Sequence, residues 1–220
     1  MIGGKMIKRT FDIIVSTIGL LLAVPLLAYM ALRIKFDSRG PVLYRGERVG
    51  KHGRTFRIYK FRTMVVDAER LGASSTAADD PRITRCGAWL RQYKLDELPQ
   101  LINVLLGDMS LVGPRPQVGW AVAQYTAEER KLLNVRPGIT DEASIAFRHE
   151  AEILRGSSDP DKTYLELIAP EKIRLGLHYV EHHNLWNDIW ILAKTIVCMF
   201  AEPESLSSTT SRPLPEPTHG

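Results

Sequence analysis

The sequence has little of what a disulfide-stabilised or repetitive protein needs. It contains two cysteines among 220 residues, Cys86 and Cys198, which lie far apart and outside any metal-ligand spacing. The two cysteines are therefore expected to be reduced, as in a protein that faces the cytosol. The sequence contains no internal repeat.

A strong charge of one sign is also missing. Lysine and arginine number 29 against 25 aspartates and glutamates, which leaves a formal net charge of +4. So small an excess suits phosphates, anionic lipid or nucleic acid, and it also suits many proteins without an anionic ligand. No nucleic-acid-binding motif accompanies it, and we expect no nucleic acid among the partners.

Charge is absent altogether from residues 13–32, which are rich in Ile, Leu, Val and Ala. As a helix these residues would be about 30 Å long, close to the thickness of a bilayer's hydrocarbon core. The run is too long for a signal peptide, and no small-residue cleavage site closes it. A membrane helix is therefore predicted.

Two features of this segment favour a re-entrant helix over one that spans the membrane. Pro25 lies inside the run, where it removes a helical hydrogen bond and favours a kink. Basic residues flank both ends, and such flanks tend to stay on the cytoplasmic side. They are Lys5, Lys8 and Arg9 before the run and Arg33, Lys35 and Arg39 after it. We expect residues 1–36 to form a helix hairpin kinked at Pro25, with a spanning helix as the alternative.

Residues 37–201 are expected to form a helix-rich α+β catalytic domain, and residues 202–220, rich in Pro, Ser and Thr, a disordered tail. Alternating residues predict a short β-hairpin within 42–59. Helices are predicted over residues 82–95, 98–106 and 120–133, with one or two more over 170–199.

Trp186 and Trp190, in the last of these stretches, leave two interpretations open. They pack in the core, or they mark an amphipathic helix lying in the membrane interface.

Asp96 and Glu97 are the candidate catalytic residues. They precede Pro99, a residue favoured at the first position of a helix. Free backbone N–H groups at a helix start favour negative charge and bound phosphate. An ionised Asp96 there can attack phosphorus, while Glu97 can hold a Mg²⁺ that also binds phosphate oxygens. The alternative is that the two acids only cap the helix.

Basic residues around this pair favour the catalytic interpretation. Arg115 lies between two prolines, in a loop that can fix its guanidinium against a phosphate. For any single one of these residues the alternative is a solvated surface position. The candidate substrate-binding residues are Lys60, Arg62, Arg82, Arg91, Arg115 and Arg136.

Residues 95–116 resemble the signature of the bacterial sugar transferase family, the monotopic phosphoglycosyl transferases of surface-glycan assembly. They read LDELPQL at 95–101 and GDMSLVGPRP at 107–116. Shorter matches follow the family's order at residues 8–12, 60–64, 80–84 and 137–140. The resemblance covers residues 6–199 and is to the small, single-domain form.

The resemblance implies a reaction at the inner face of the cytoplasmic membrane, with the catalytic domain in the cytosol. Asp96 would attack the β-phosphate of a UDP-sugar and release UMP, with Glu97 as the Mg²⁺ ligand. Polyprenyl phosphate, such as undecaprenyl phosphate, would then take the phosphosugar from Asp96. Arg115 would contact the nucleotide or its phosphates. This is the first membrane step in making O-antigen, capsule, exopolysaccharide or glycoprotein, and the re-entrant hairpin is a family feature as well.

Two positions depart from the family pattern. Val24 stands before Pro25 where serine is frequent, and Lys94 precedes Leu95 where a small hydroxyl residue is frequent. Neither change removes a residue that the chemistry requires. Rival functions are a non-catalytic membrane scaffold, which would tolerate loss of Asp96 or Glu97, and a phosphotransferase for another nucleotide-activated group. The sugar, the glycan pathway and a homodimer are left undecided.

Overall fold

A computed structural model describes residues 2–200 of the chain. The predicted disorder of residues 202–220 lies outside the described residues. The prediction of a helix-rich α+β fold that begins with a long apolar helix is confirmed.

The described helices are α1 (Ile2–Asp37), α2 (Arg85–Gln92), α3 (Gln100–Leu106), α4 (Gly119–Ala123), α5 (Glu142–Ala146), α6 (Glu150–Ile153), α7 (Pro160–Leu167), α8 (Ala169–His182) and α9 (Leu185–Phe200). The described strands are β1 (Leu43–Tyr44), β2 (Glu47–Val49), β3 (Thr55–Arg57), β4 (Lys60–Phe61), β5 (Ser110–Val112) and β6 (Gly138–Thr140). They form three two-stranded sheets, β1–β4 and β2–β3 antiparallel and β5–β6 parallel.

Helix α1 exposes most of its apolar surface. Within residues 2–200 it is the one helix long and apolar enough to cross a membrane. Leu21, Leu22 and Val24 are exposed, and so much apolar surface requires apolar surroundings. The helix is assigned as continuous through Pro25, so the kink and the hairpin stay predictions.

Both ends of α1 nevertheless contact the same domain. Near its start, the Arg9 guanidinium donates to the carbonyl oxygens of Val104 (2.6 Å) and Leu105 (3.0 Å), at the end of α3. Near its end, Met30 and Ile34 are buried in one apolar cluster with Leu90 of α2. The domain therefore holds α1 on both sides of its exposed apolar stretch.

The predicted hairpin is confirmed as β2–β3, in which Arg48 lies opposite Phe56. Strands β1 and β4 continue the pairing beyond it. A buried amide ties this hairpin to α3, because Asn103 accepts from the Tyr59 N–H (2.8 Å) and donates to the Arg57 carbonyl (3.0 Å). The start of α3 is thereby fixed beside β4.

The parallel pair β5–β6 was not predicted. The two chain segments meet so closely that a Cβ on Gly138 would lie 2.1 Å from the backbone nitrogen of Gly113. Only glycine permits this approach. It fixes the loop after β5, residues 113–116, against the start of β6.

The helix predicted over 120–133 is wrong as a single element, because α4 ends at Ala123 and a 3₁₀ turn occupies Glu129–Asn134. Thr126 and Glu129 exchange hydrogen bonds, each side chain with the other's backbone N–H, which starts a new turn between them. The stretch 170–199 forms two helices, because the side chain of Asn184 caps the start of α9 through the Asn187 N–H at 3.0 Å.

Helix α9 buries one face and exposes another. Ile191 on it is 2 % exposed and belongs to the main apolar core, whereas Trp186 is 79 % and Trp190 60 % exposed. The two tryptophans therefore do not pack in the core.

Candidate active site

Asp96 and Glu97 lie in a 3₁₀ turn, Leu95–Glu97, between α2 and α3. Lys94 begins the turn in the left-handed region (φ 55°), and Pro99 leads directly into α3. The placement of the two acids just before a helix start agrees with the prediction. Both carboxylates are buried, at 2 % and 9 % exposure, so each needs partners to stay ionised.

Lys60, in β4, joins the two carboxylates. Its Nζ lies 2.9 Å from Oδ2 of Asp96 and 3.2 Å from Oε1 of Glu97. Asn103 of α3 fixes the backbone of Arg57 and Tyr59, directly before β4, so the ammonium group is held where the two acids meet.

Arg115 clamps Glu97 from the loop after β5. One guanidinium nitrogen donates to Oε2 at 3.0 Å and the other donates to Oε1, a two-point contact that matches the shape of a carboxylate. The Arg115 backbone N–H donates to Asp141 (3.3 Å), whose side chain also caps α5 through the Ser144 N–H (2.6 Å). Asp141, which sequence reasoning missed, thus holds the arginine loop in place.

The charges around Glu97 decide its protonation. Burial alone would raise the pKa of Glu97, but Arg115, Lys60 and Lys94 outweigh burial and hold the pKa well below its ordinary value. The same contact raises the pKa of Arg115. Glu97 is therefore an anion throughout the physiological pH range.

Two buried polar atoms at this site have no hydrogen-bond partner within the part of the chain that the structure describes. They are Oδ1 of Asp96 and Nε2 of Gln100, one helical turn further along. Leaving such a group unpaired costs about 1–3 kcal/mol. The site thus keeps one free carboxylate oxygen and one free amide donor. Sequence reasoning missed Gln100, which is the first residue of α3 and follows Asp96 by four positions.

Two further cations lie near the dyad. Arg91 donates to the hydroxyls of Thr63 (3.0 Å) and Thr76 (3.4 Å). Burial lowers its pKa, and the charges of Asp96, Asp80 and Glu97 oppose that effect. Lys94 is exposed at the surface and close enough to lower the pKa of Glu97.

The remaining three candidates hold other parts of the fold. Arg62 donates to the carbonyls of Ser38 and Arg39 after α1. Arg82 pairs with Asp80 and donates to two loop carbonyls, and Arg136 donates to the Gly107 carbonyl (2.8 Å). The structure gives these side chains structural partners, and their contact with substrate stays a prediction.

The dyad fits a small divalent cation. No group of three or more His, Cys, Asp or Glu side chains arranged for a metal occurs among the described residues. Mg²⁺ does not require one, since it is commonly bound through one or two carboxylates together with substrate phosphates and water. Glu97 can supply such a carboxylate, because its Oε2 accepts from Arg115 only and keeps a second acceptor position, while its Oε1 accepts from both Arg115 and Lys60.

The family of the chain follows from comparison with known proteins. Residues 3–202 match the model of the family described as Bacterial sugar transferase. The chain belongs to this family, as the resemblance of residues 95–116 predicted.

Several curated relatives align over most of the chain. A UDP-N-acetylgalactosamine-undecaprenyl-phosphate N-acetylgalactosaminephosphotransferase from Aeromonas hydrophila is 40 % identical over 86 % of this chain and 43 % of its own length. An undecaprenyl-phosphate glucose phosphotransferase from Komagataeibacter xylinus is 42 % identical over 86 % of this chain and 35 % of its own length. The exopolysaccharide production protein PSS of Rhizobium leguminosarum is 40 % identical, over 87 % of this chain and 94 % of its own length. The chain thus spans less than half of the first two relatives and nearly all of the third.

Proposed function

We propose that the chain transfers a sugar 1-phosphate from a UDP-sugar to undecaprenyl phosphate or another polyprenyl phosphate. The observation that carries the proposal is the buried Asp96 at a helix start. Its Oδ1 has no hydrogen-bond partner within residues 2–200, while Lys60 holds its other oxygen. The names of the relatives describe transfers of this kind with two different sugars. They support the reaction and leave the sugar open.

In the first step Oδ1 of Asp96 attacks the β-phosphorus of the donor. The bond from that phosphorus to the bridging oxygen breaks, and UMP leaves with the oxygen and its electron pair. Asp96 then carries the phosphosugar as an acyl phosphate. Lys60 stays on Oδ2 and orients the carboxylate, and the cations around Glu97 stabilise the charge that develops on the phosphate oxygens.

In the second step an oxygen of the polyprenyl phosphate attacks the same phosphorus. The bond between phosphorus and Asp96 breaks, which restores the carboxylate and gives a polyprenyl diphosphosugar. A buried carboxylate is suited to this sequence, because water is kept from the acyl phosphate. The product is the membrane-bound starting unit of a surface glycoconjugate.

Mg²⁺ is part of the proposal, with Glu97 as its principal ligand and Asp96 beside it. When bound, the ion would neutralise the charge of the diphosphate. The two-point contact with Arg115 fixes the Glu97 carboxylate in one orientation, and Lys60 keeps it next to Asp96.

The membrane arrangement is proposed as re-entrant, on the inner membrane with the domain in the cytosol. A spanning helix must carry its ends to opposite faces of a core about 30 Å thick, whereas both ends of α1 contact one domain. The exposed Trp186 and Trp190, with Lys194 over the Trp190 ring at 5.0 Å, suit a helix in the lipid interface. The kink at Pro25 would allow the return.

Labelling of cysteines at the two ends of α1 tests the arrangement. Met6→Cys and Phe36→Cys, both at exposed positions, are made in a chain with Cys86→Ser and Cys198→Ser and treated with a membrane-impermeant maleimide. A re-entrant helix leaves both protected in intact cells and both labelled in inverted vesicles. Labelling of one end from each side would establish a spanning helix.

The reaction is tested by UMP release from a panel of UDP-sugars, with Mg²⁺, undecaprenyl phosphate and detergent-solubilised full chain. The panel includes UDP-N-acetylgalactosamine and UDP-glucose. Release that needs Mg²⁺ is expected with one donor or a few. Without acceptor, intact-mass analysis should find a phosphosugar adduct that peptide mapping places on Asp96. A folded chain that releases no UMP and forms no adduct with any donor would instead support the non-catalytic scaffold.

A further inference from the structure

Arg115 lies between the dyad and a neighbouring cavity. Its guanidinium contacts Glu97 at 3.0 Å, and its side chain also lines a cavity of about 330 Å³. That volume lies in the range of sites for small organic ligands. A ligand in the cavity would therefore be one side chain away from the dyad.

The position of the cavity excludes lipid as its natural occupant. Its lining residues fall between Pro114 and Ile173, and none of them belongs to the exposed apolar helices α1 and α9 as the structure describes them. A polyprenyl chain has to arrive along those helices. The cavity instead suits the part of a substrate that comes from water.

The lining chemistry suits a planar heterocycle. Two tyrosine rings, Tyr125 and Tyr164, give aromatic surface on which a base can stack. Two carboxamides, Gln117 and Gln124, each offer a donor and an acceptor. The edge of a uracil ring alternates carbonyl oxygens with an N–H, so carboxamides can pair with it. The Nε2 of Gln117 lies 3.4 Å from the Tyr164 hydroxyl, which brings an amide and a ring together on one wall.

Two cations in the cavity lining, Arg115 and Lys172, suit the phosphate of a ligand bound there. Lys172 lines the cavity with Arg115 and lies 5.3 Å from the centre of the Tyr164 ring. Lys172 is paired with Glu150 and Arg115 with Glu97. Glu129 and Asp141 also line the cavity. A nucleotide with its base against the tyrosines would direct its phosphates toward Arg115, the cation that reaches from the cavity to the dyad.

We propose that this cavity binds the uridine of the donor, with Gln117 and Tyr125 as the residues that select the base. The assignment rests on the proposed function, because it takes a nucleotide-linked sugar as the donor. Arg115 then joins nucleoside binding to chemistry, since it contacts both the cavity and the metal-binding carboxylate.

The experiment measures binding of UDP and ADP to the full chain in detergent by isothermal titration, with Mg²⁺ present. Gln117→Leu and Tyr125→Leu are compared with wild type and with Tyr93→Leu, a partly exposed tyrosine next to the dyad turn but outside the cavity lining. The thermal midpoint of each variant is recorded to exclude misfolding, and Gln117→Asn is the conservative substitution.

Both cavity variants should weaken UDP binding about 10-fold, the loss expected for one hydrogen bond or stacking contact. The preference for UDP over ADP should shrink, and the KM for the UDP-sugar should rise with little change in kcat. Tyr93→Leu should bind UDP as wild type does. Unchanged UDP affinity and KM in folded Gln117→Leu and Tyr125→Leu, with wild-type UMP release intact, would overturn this cavity assignment alone. A wild-type chain that binds no uridine nucleotide and releases no UMP would overturn it together with the proposed function.

Discussion

Two ionic clusters, each with two buried carboxylates and one lysine, differ in how completely their carboxylate oxygens are paired. The first, the anchor cluster, consists of Lys8, Asp12, Ser110, Tyr179 and Asp188. Asp188 accepts from Lys8 at 2.6 Å and from the Tyr179 hydroxyl at 2.7 Å. Asp12 accepts from the Ser110 hydroxyl at 2.8 Å and from the next backbone N–H at 3.2 Å. All four carboxylate oxygens thus have partners inside the protein.

The second, the site cluster, consists of Lys60, Asp96, Glu97 and Arg115. In the part of the chain that the structure describes, three of its four carboxylate oxygens are paired and Oδ1 of Asp96 is not. The closed anchor cluster can only hold α1 to β5 and α9, whereas the open site cluster keeps an oxygen available for a new bond. Under the proposed function, the oxygen without a partner is what separates the site cluster from the fully paired anchor cluster.

The largest effect on the comparison is expected from replacing Asp96, the residue that carries the free oxygen of the site cluster. Asp96→Asn should reduce UMP release on the order of 10⁴-fold, because an amide is a poor nucleophile. The thermal midpoint should change little, because Lys60 keeps its contact with Glu97 and the lost ion pair is offset by removal of a buried carboxylate oxygen that has no partner among the described residues. Activity and melting are measured in parallel with Glu166→Gln, a surface carboxylate. Near-normal turnover by Asp96→Asn would mean that the nucleophile is another residue.

Removing one carboxylate from the anchor cluster should have the opposite effect, a loss of stability with little change in activity. Asp188→Asn leaves the Lys8 ammonium without its carboxylate partner, with only the Val112 carbonyl at 3.2 Å, and should destabilise the fold by about 3 kcal/mol. The rate per folded molecule should be kept, because Asp188 is remote from the dyad contacts. Denaturant unfolding in detergent measures the loss of stability, and UMP release below the melting point measures the rate per folded molecule. The double variant Lys8→Met with Asp188→Asn should recover part of the loss; equal stability of all three proteins would show that the anchor contributes nothing.

Two buried amides of α3 sharpen the comparison further. Gln100→Leu removes a donor without a partner among the described residues, so stability should hold or rise while UMP release falls about 10-fold. Asn103→Leu removes an amide that is bonded to the hairpin at both ends, so it should lower the melting point. The pair is compared by thermal unfolding and kcat. A loss of stability in Gln100→Leu as large as that in Asn103→Leu would show that Gln100 has a structural partner.

The smallest effect is the pH dependence of the site cluster. Glu97 has a lower pKa in the folded protein than its ordinary value of 4.5. Its ionised form therefore stabilises the fold above that pH, and the stabilisation is lost as the pH falls through the lowered pKa. The melting-point difference between wild type and Glu97→Gln should be constant above about pH 5 and shrink below about pH 4.5. A difference that does not depend on pH would show that Glu97 is not held as an anion.

Local signals in the sequence were enough to predict the position of Asp96 and Glu97 before a helix start, the loop that holds Arg115 between two prolines, and the hairpin. Each depends on residues close together in the chain, such as Pro99 at the start of α3. The parallel β5–β6 pair was out of reach because it joins segments about 28 positions apart through backbone contacts between glycines. The break between α4 and the next turn depends on one local exchange between Thr126 and Glu129, which a helical pattern of apolar residues conceals.

The sequence showed which basic residues surround the dyad in the chain, but not which of them contact a carboxylate and which contact the backbone. Arg115 and Arg136 both follow turns and stand next to proline, yet one meets a carboxylate and the other a backbone carbonyl at the end of α3. What separates them is the tertiary neighbour that each side chain finds. Gln100 and Asp141 were missed for the same reason. Gln100 matters because its amide lacks a partner among the described residues, and Asp141 matters because it accepts from the Arg115 backbone N–H.

The near-complete burial of Asp96, 2 % exposed, has a consequence for timing under the proposed reaction. Acyl phosphates are lost to water when water can reach them, so a shielded one lasts longer than its free counterpart. Such a chain would remain loaded with its sugar while no lipid acceptor is at hand. The rate of glycan initiation would then follow the supply of polyprenyl phosphate in the bilayer, with little donor wasted during the wait.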